Sequence, residues 1–147
     1  MVGAAHPRTV LVADDTADLL TLVTRWLVKA GYDVIAASDG RMALDLIRER
    51  SPQVVVLDIV MPKLSGVDVL HELRADPNLA AIPVILMSAG FQGEVDAAGV
   101  PIGADSFVAK PFAAVELRER LEQQFARIES RAQPDRRAED AIEQREG

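Results

Sequence analysis

Residues 54–58 read Val-Val-Val-Leu-Asp. Four consecutive apolar residues, three of them β-branched, predict a strand buried on both faces, because a strand with one wet face would alternate. Similar runs recur at Thr9–Ala13 (TVLVA), at residues 34–37 (VIAA), at 83–87 (PVILM) and at Ser106–Ala109 (SFVA). Longer segments with a helical period lie between them. Leu19, Leu22, Val23, Trp26, Leu27 and Ala30 share one face, and Gly31 follows as a stop. Trp26 is on that stripe and is assigned to the core. Met42, Ala43, Leu46 and Ile47 repeat the stripe behind the capping sequence Ser38-Asp39-Gly40. Ser65 and Asp68 have the spacing of a capping box, with Leu70 and Leu73 behind them. A fourth helix is predicted to be short, over residues 92–98, because Gly93, Gly99 and Pro101 work against it. The last helix starts near Phe112, carries Leu117, Leu121, Phe125 (or Gln124) and Ile128 on one stripe, and stops at Pro134.

Strands alternating with helices predict an α/β fold with a doubly wound parallel sheet covered on both faces. The 147 residues suit one domain, placed at residues 8–128, between a flexible N-terminus (1–7) and a charged, disordered tail (129–147). The absence of cysteine excludes disulfides, thiolate metal ligands and a thiol nucleophile. A net charge of −7 argues against gripping nucleic acid, whose binding depends on phosphate neutralisation. No apolar run approaches the length that crosses a bilayer, and Asp14 and Asp15 cut short the only N-terminal candidate for a signal. The expectation is a cytoplasmic protein with no direct nucleic-acid or membrane contact.

Ligands of such sheets sit beyond the carboxyl ends of the strands. Asp14 and Asp15 follow the first strand, Asp58 the third, Ser88 the fourth, and Lys110 with Pro111 the fifth. Each alone has an ordinary explanation: Asp15 or Thr16 as a helix cap, Asp58 as a turn residue, Ser88 as a cap, Lys110 as a surface charge. Right-handed winding nevertheless brings strands one, three, four and five side by side, so all five groups converge. Three carboxylates together need a cation, and an all-oxygen set suits Mg²⁺. A fixed ammonium and a hydroxyl donor beside them describe a place to hold a phosphoryl group. Asp58, alone after its strand, is the candidate acceptor, since aspartyl phosphate is an attested covalent species. The adjacent pair Asp14 and Asp15 suits metal holding.

With these residues in hand, the chain resembles the response-regulator receiver domain (CheY-like) of two-component signalling. The likeness runs from about Thr9 to Gln124. It rests on Val12-Ala13-Asp14-Asp15, on Leu57-Asp58-Ile59-Val60-Met61-Pro62 with Gly66, on Ser88-Ala89, on Gly103-Ala104 and on residues 107–112 (FVAKPF). The resemblance implies a flavodoxin-like (βα)5 fold with a five-stranded parallel sheet of order 2-1-3-4-5. It implies that Asp58 accepts phosphate from a sensor histidine kinase or phosphotransfer protein. Asp15, Asp58 and the backbone carbonyl of Val60 would hold Mg²⁺, with Asp14 helping through water. Lys110 would pair with the acyl phosphate, Ser88 would turn to bond it, and Phe107 would be the aromatic switch. The Lys110–Pro111 bond would be cis.

The resemblance implies a phosphoprotein that assists its own phosphorylation and dephosphorylation without being an enzyme in the turnover sense. Its face of fourth helix, fifth strand and fifth helix would meet a downstream protein or a second copy. Kinase choice would lie around residues 16–27. Two departures stand out. Phe107 carries no hydroxyl, and neither Val60 nor Gly90 can orient water through a side chain, which predicts slow loss of the phosphoryl group. A receiver-like scaffold that works without phosphate is one alternative. A haloacid-dehalogenase-type phosphatase is another, although there the acidic pair comes late and the nucleophile sits in a DxD motif on the first strand.

Overall fold

The computed structural model describes residues 8–91, 93–97 and 99–132. The elements are β1 (Thr9–Ala13), α1 (Ala17–Lys29), β2 (Asp33–Ala37), α2 (Gly40–Arg50), β3 (Val54–Asp58), α3 (Gly66–Ala75), β4 (Val84–Ser88), β5 (Ser106–Ala109) and α4 (Ala114–Ala132). The strands form one parallel sheet in the order β2-β1-β3-β4-β5. The flavodoxin-like order implied by the sequence is therefore the observed one. Central strands β3 and β4 are buried along their whole length, as consecutive apolar residues require.

Alternate residues of each strand face opposite sides of the sheet. Leu11, Val55, Leu57, Val84 and Leu86 face α2 and α3, packing with Ala43, Leu44, Ile47, Leu70 and Leu73. Val10, Val12, Val54, Val56, Ile85 and Met87 face α1 and α4, packing with Val23, Leu27, Leu117, Leu121 and Phe125. The α1–α4 side is not wholly apolar. The Thr24 hydroxyl and the Gln124 amide oxygen are buried there with no hydrogen-bond partner.

Local signals set the helix starts. Asp39 accepts a hydrogen bond from Met42 N–H at 2.7 Å and caps α2. Ser65 and Asp68 complete the capping box of α3. Thr16 stands at the N-cap of α1 with no side-chain bond; the Asp14 carboxylate accepts from Thr16 N–H at 2.8 Å instead. Gly66 is required for a different reason. A Cβ there would lie 2.3 Å from the Asp58 carbonyl oxygen, so only glycine lets the β3–α3 loop fold back onto the end of β3.

Three expectations need correction. The short helix over residues 92–98 is absent: no described residue between β4 and β5 is helical. Val95 and Pro101 instead form an isolated antiparallel bridge. The Asp96 carboxylate takes Val100 N–H at 3.0 Å, and its carbonyl takes Gly99 N–H at 3.0 Å. A local turn thus satisfies the groups a helix would have used, with Gly99 at φ +83°. The face expected from a fourth helix, β5 and the last helix is accordingly built from this hairpin-like segment, β5 and α4. Second, the last helix begins at Ala114 and runs through Ala132, so residues 129–132 of the expected tail are helical. The rest of that tail, the N-terminal residues 1–7 and the helix stop at Pro134 lie outside the described residues. Third, Trp26 packs against the α1–α4 side of the core but is only partly buried; its ring meets Phe112 edge-on at 6.3 Å.

Candidate functional site

Strand register builds the site. Ala13 is level with Leu57, Asp58 with Met87, and Ser88 with Ala109. Each chain leaves the sheet one or two residues later, so Asp14, Asp15, Asp58, Ser88 and Lys110 come to the same edge. Asp14 (1% exposed) and Asp58 (5%) are buried, whereas Asp15 is open to solvent. Despite that difference, the three carboxylates offer oxygens within 4.8 Å of one another. Asp14 and Asp15 therefore serve one site from its buried and its open side.

The Lys110 ammonium stands between the two buried carboxylates, 2.8 Å from Asp14 Oδ2 and 3.3 Å from Asp58 Oδ2. The Lys110–Pro111 bond is cis. Burial pulls the lysine's pKa down, but the hydrogen bond and charge of Asp14, joined by Asp58, outweigh it and hold it above the ordinary value. Asp58 goes the other way from most paired carboxylates. Burial first and the charge of Asp14 second push its pKa up; Lys110 and the Val60 N–H only partly offset them. Burial and the Asp14 charge thus work together against the ionised form of Asp58.

Ser88 and Phe107 are placed less directly. The Ser88 hydroxyl donates to the Gly90 carbonyl at 2.8 Å and accepts from Gly90 N–H at 3.1 Å, so it is engaged with the loop after β4. Phe107 is half-buried against the α3-side core, and its carbonyl accepts from Arg120 Nε at 3.4 Å. Val60 is 71% exposed at the mouth of the site, and its N–H points at Asp58 Oδ1 over 3.4 Å.

Sequence reasoning missed one feature beside the site. Leu19, Leu22 and Trp26 of α1 form a groove of about 370 Å³ with Pro111 and Phe112, and Lys110 and Ala89 stand at its lip. The signal was Pro111-Phe112 directly after the lysine, which presents an aromatic ring toward α1.

The response regulator receiver domain profile matches residues 10–122. The chain belongs to this family. Among curated relatives, the probable transcriptional regulatory protein TcrX of Mycobacterium tuberculosis is 42% identical over 117 residues, spanning 79% of this chain and 49% of that one. The alkaline phosphatase synthesis transcriptional regulatory protein PhoP of Bacillus subtilis is 33% identical over 136 residues, spanning 92% and 56% respectively. The chain thus spans about half the length of the curated relatives it matches. Among solved structures, the Francisella response regulator 1452 receiver domain superposes with a TM-score of 0.74 at 34% identity, covering 82% of this chain and 98% of that one. The receiver domain of the Pseudomonas aeruginosa PAO1 sensor histidine kinase PA1611 superposes with a TM-score of 0.73 at 26% identity, with the same two coverages. That structure has a magnesium ion coordinated in its active site cleft. The receiver described here is a two-component signalling domain with an acidic cluster at Asp14, Asp15 and Asp58. None of its described helices is long and apolar enough to cross a membrane.

Proposed function

We propose that this receiver is a phosphoacceptor whose Asp58 takes a phosphoryl group from a histidine kinase or phosphotransfer protein. The observation that carries the reading is the ammonium of Lys110 set between buried Asp14 and Asp58, with Asp15 in reach. An Asp58 carboxylate oxygen attacks the phosphorus of the donor phosphohistidine; the P–N bond breaks and the imidazole leaves with its electron pair. Lys110 is already in place to neutralise the incoming oxygens. Ser88 reaches them by exchanging its bond to the Gly90 carbonyl for one to a phosphoryl oxygen.

The donor set fits Mg²⁺: carboxylate oxygens only, close together, with one carboxylate open to water. Asp14, Asp15, Asp58 and the Val60 carbonyl would hold it. When bound it supplies charge neutralisation at the transferring group. Without it, burial first and the charge of Asp14 second keep the Asp58 pKa raised.

The domain is not a turnover enzyme in this reading, and it works in the cytoplasm, where kinases of this class present their phosphohistidine. Kinase contact falls on α1, where the Trp26 groove opens at the lip of the acceptor site. Output passes through the face of β5, α4 and the segment before β5, toward a protein target or a second copy. Incubation with acetyl phosphate and Mg²⁺, followed by intact mass, tests the core of the proposal. A mass gain of one phosphoryl group, absent in Asp58→Asn, is the expected result. No gain at all would leave a phosphate-independent scaffold as the better account.

A further inference from the structure

Where the fourth helix was expected, the sheet face beside α3 is left with a groove of about 370 Å³. Its deepest residues, Leu70 and Leu86, are buried, and Phe91, Pro101 and Ile102 form its wall on the hairpin side. A dry cavity of about 150 Å³ is enough for a benzene ring, so this groove has room for two large side chains. Val95 and Ile102 are large apolar residues on the same hairpin, 47% and 55% exposed. Apolar residues left open around a depression are the mark of a docking surface.

The charge around the groove is one-sided. Between residues 64 and 109 the chain carries six carboxylates (Asp68, Glu72, Asp76, Glu94, Asp96 and Asp105) and a single cation of the Lys/Arg type, Arg74. Arg74 is spent internally: it binds Asp105 at 2.8 Å and donates to the carbonyls of Gly103, Ala80 and Ile82. Glu94 lines the groove itself; exposed Asp68 follows the lining residue Val67, and exposed Asp96 is two residues beyond Glu94. The lining of the groove thus holds a carboxylate, Glu94, and no Lys or Arg.

We propose that this groove binds a basic amphipathic segment of a partner protein, which lays two apolar anchors against Phe91 and Ile102 and sets Lys or Arg against Glu94, Asp68 and Asp96. The mode is a helix in a groove, with charge choosing the partner and speeding encounter. The site is separate from Asp58, and its occupation needs no phosphoryl group. A second copy of this chain is a poor occupant, because the facing copy would bring the same carboxylates.

The test uses a fluorescein-labelled amphipathic peptide of about 15 residues, made of Leu and Lys with Leu at helical spacing, and its Leu/Glu counterpart. Anisotropy titration of the whole chain is expected to show binding of the Leu/Lys peptide alone, weakened as salt is raised from about 50 to 300 mM. Ile102→Lys and Glu94→Lys each reduce affinity at least ~10-fold, whereas Val115→Lys, on the exposed face of α4 (58% exposed), leaves it unchanged. All three positions are at the surface, so folding is preserved and checked by circular dichroism. Equal binding of the two peptides, equal loss in Val115→Lys, or amide shifts confined to α1 and Phe112 would overturn the proposal. A doubled sedimentation mass abolished by Ile102→Lys would also overturn it, assigning the groove to a second copy.

Discussion

Replacing Asp58 by asparagine should stabilise this protein in the absence of divalent cations. The site's three carboxylates approach within 4.8 Å, and at an effective dielectric of ~20 two unit charges that close repel by at least about 3.5 kcal/mol. Lys110 at 3.3 Å from Asp58 returns about 5 kcal/mol on the same scale. Taking the Asp58 charge out of water costs several kcal/mol more, which turns the balance against the ion. The direction of its pKa agrees: burial and Asp14 together overcome Lys110 and push it above the ordinary carboxylate value of 3.8. A carboxyl raised on folding holds its proton longer in the native state than in the unfolded chain. Stability is therefore lost as pH rises from 3.8 through the raised folded value. Asp58→Asn removes repulsion, attraction and burial cost together, for a net gain in stability that appears as a higher Tm. Thermal unfolding in EDTA at neutral pH measures it. The advantage should vanish below pH 3.8. Mg²⁺ should narrow it at neutral pH by stabilising the wild type more than the variant. An Asp58→Asn protein that melts at or below the wild-type temperature in EDTA would show that Lys110 already balances the pocket, and the electrostatic reasoning would fail.

Three other outcomes follow from particular contacts. The double variant Val60→Asn, Gly90→Glu should lose the phosphoryl group at least ~10-fold faster than wild type, by positioning water. Val60 is 71% exposed and a Cβ on Gly90 meets nothing within 4 Å, so both side chains fit; equal decay of labelled phosphoprotein refutes the idea. Gln124→Leu should raise stability by about 1 kcal/mol in urea unfolding, because its amide oxygen is buried without a partner; a loss would point to an ordered water in its place. At the opposite end of the sheet, Tyr32 donates to Glu122 at 2.5 Å, and Arg8 binds Glu122 and Glu129 at 3.0 and 2.7 Å. The bond from Tyr32 first, and Arg8 next, hold the Glu122 pKa below its ordinary 4.5, while burial and Glu122 push the tyrosine up to about 12. This contribution is fully present above pH 4.5 and fades as pH falls through the lowered folded value. Tyr32→Phe should flatten the acid limb of a Tm–pH profile and leave its slope near pH 7 unchanged; an unchanged acid limb would show that the pair contributes nothing.

By itself, the sequence determined the strands, their burial and the order of chemistry-bearing residues along the chain. Runs such as VVVL at 54–57 have few ways to hide from water, and a parallel sheet is the one consistent with intervening helices. Caps at Asp39 and Ser65 were legible for the same reason: the bond that makes each cap spans three residues. Residues that act at the ends of strands could be listed in advance, because winding places strand ends together whatever the side chains do.

Tertiary structure decided everything that depends on which of two satisfied states costs less. Whether residues 92–98 became a helix turned on Asp96 capturing the N–H groups of Gly99 and Val100, a competition between a local turn and a helix that propensities alone leave nearly even. Whether Trp26 was core turned on how far Phe112 and the loop after β5 lean over α1. The acceptor's electrostatics were settled in the same way. Composition shows three aspartates and a lysine, but only the burial of Asp14 and Asp58, and the open position of Asp15, convert those charges into a carboxylate of raised pKa with a place for a cation. Charge energies depend on distance and on exclusion of water, and neither exists until the chain has folded.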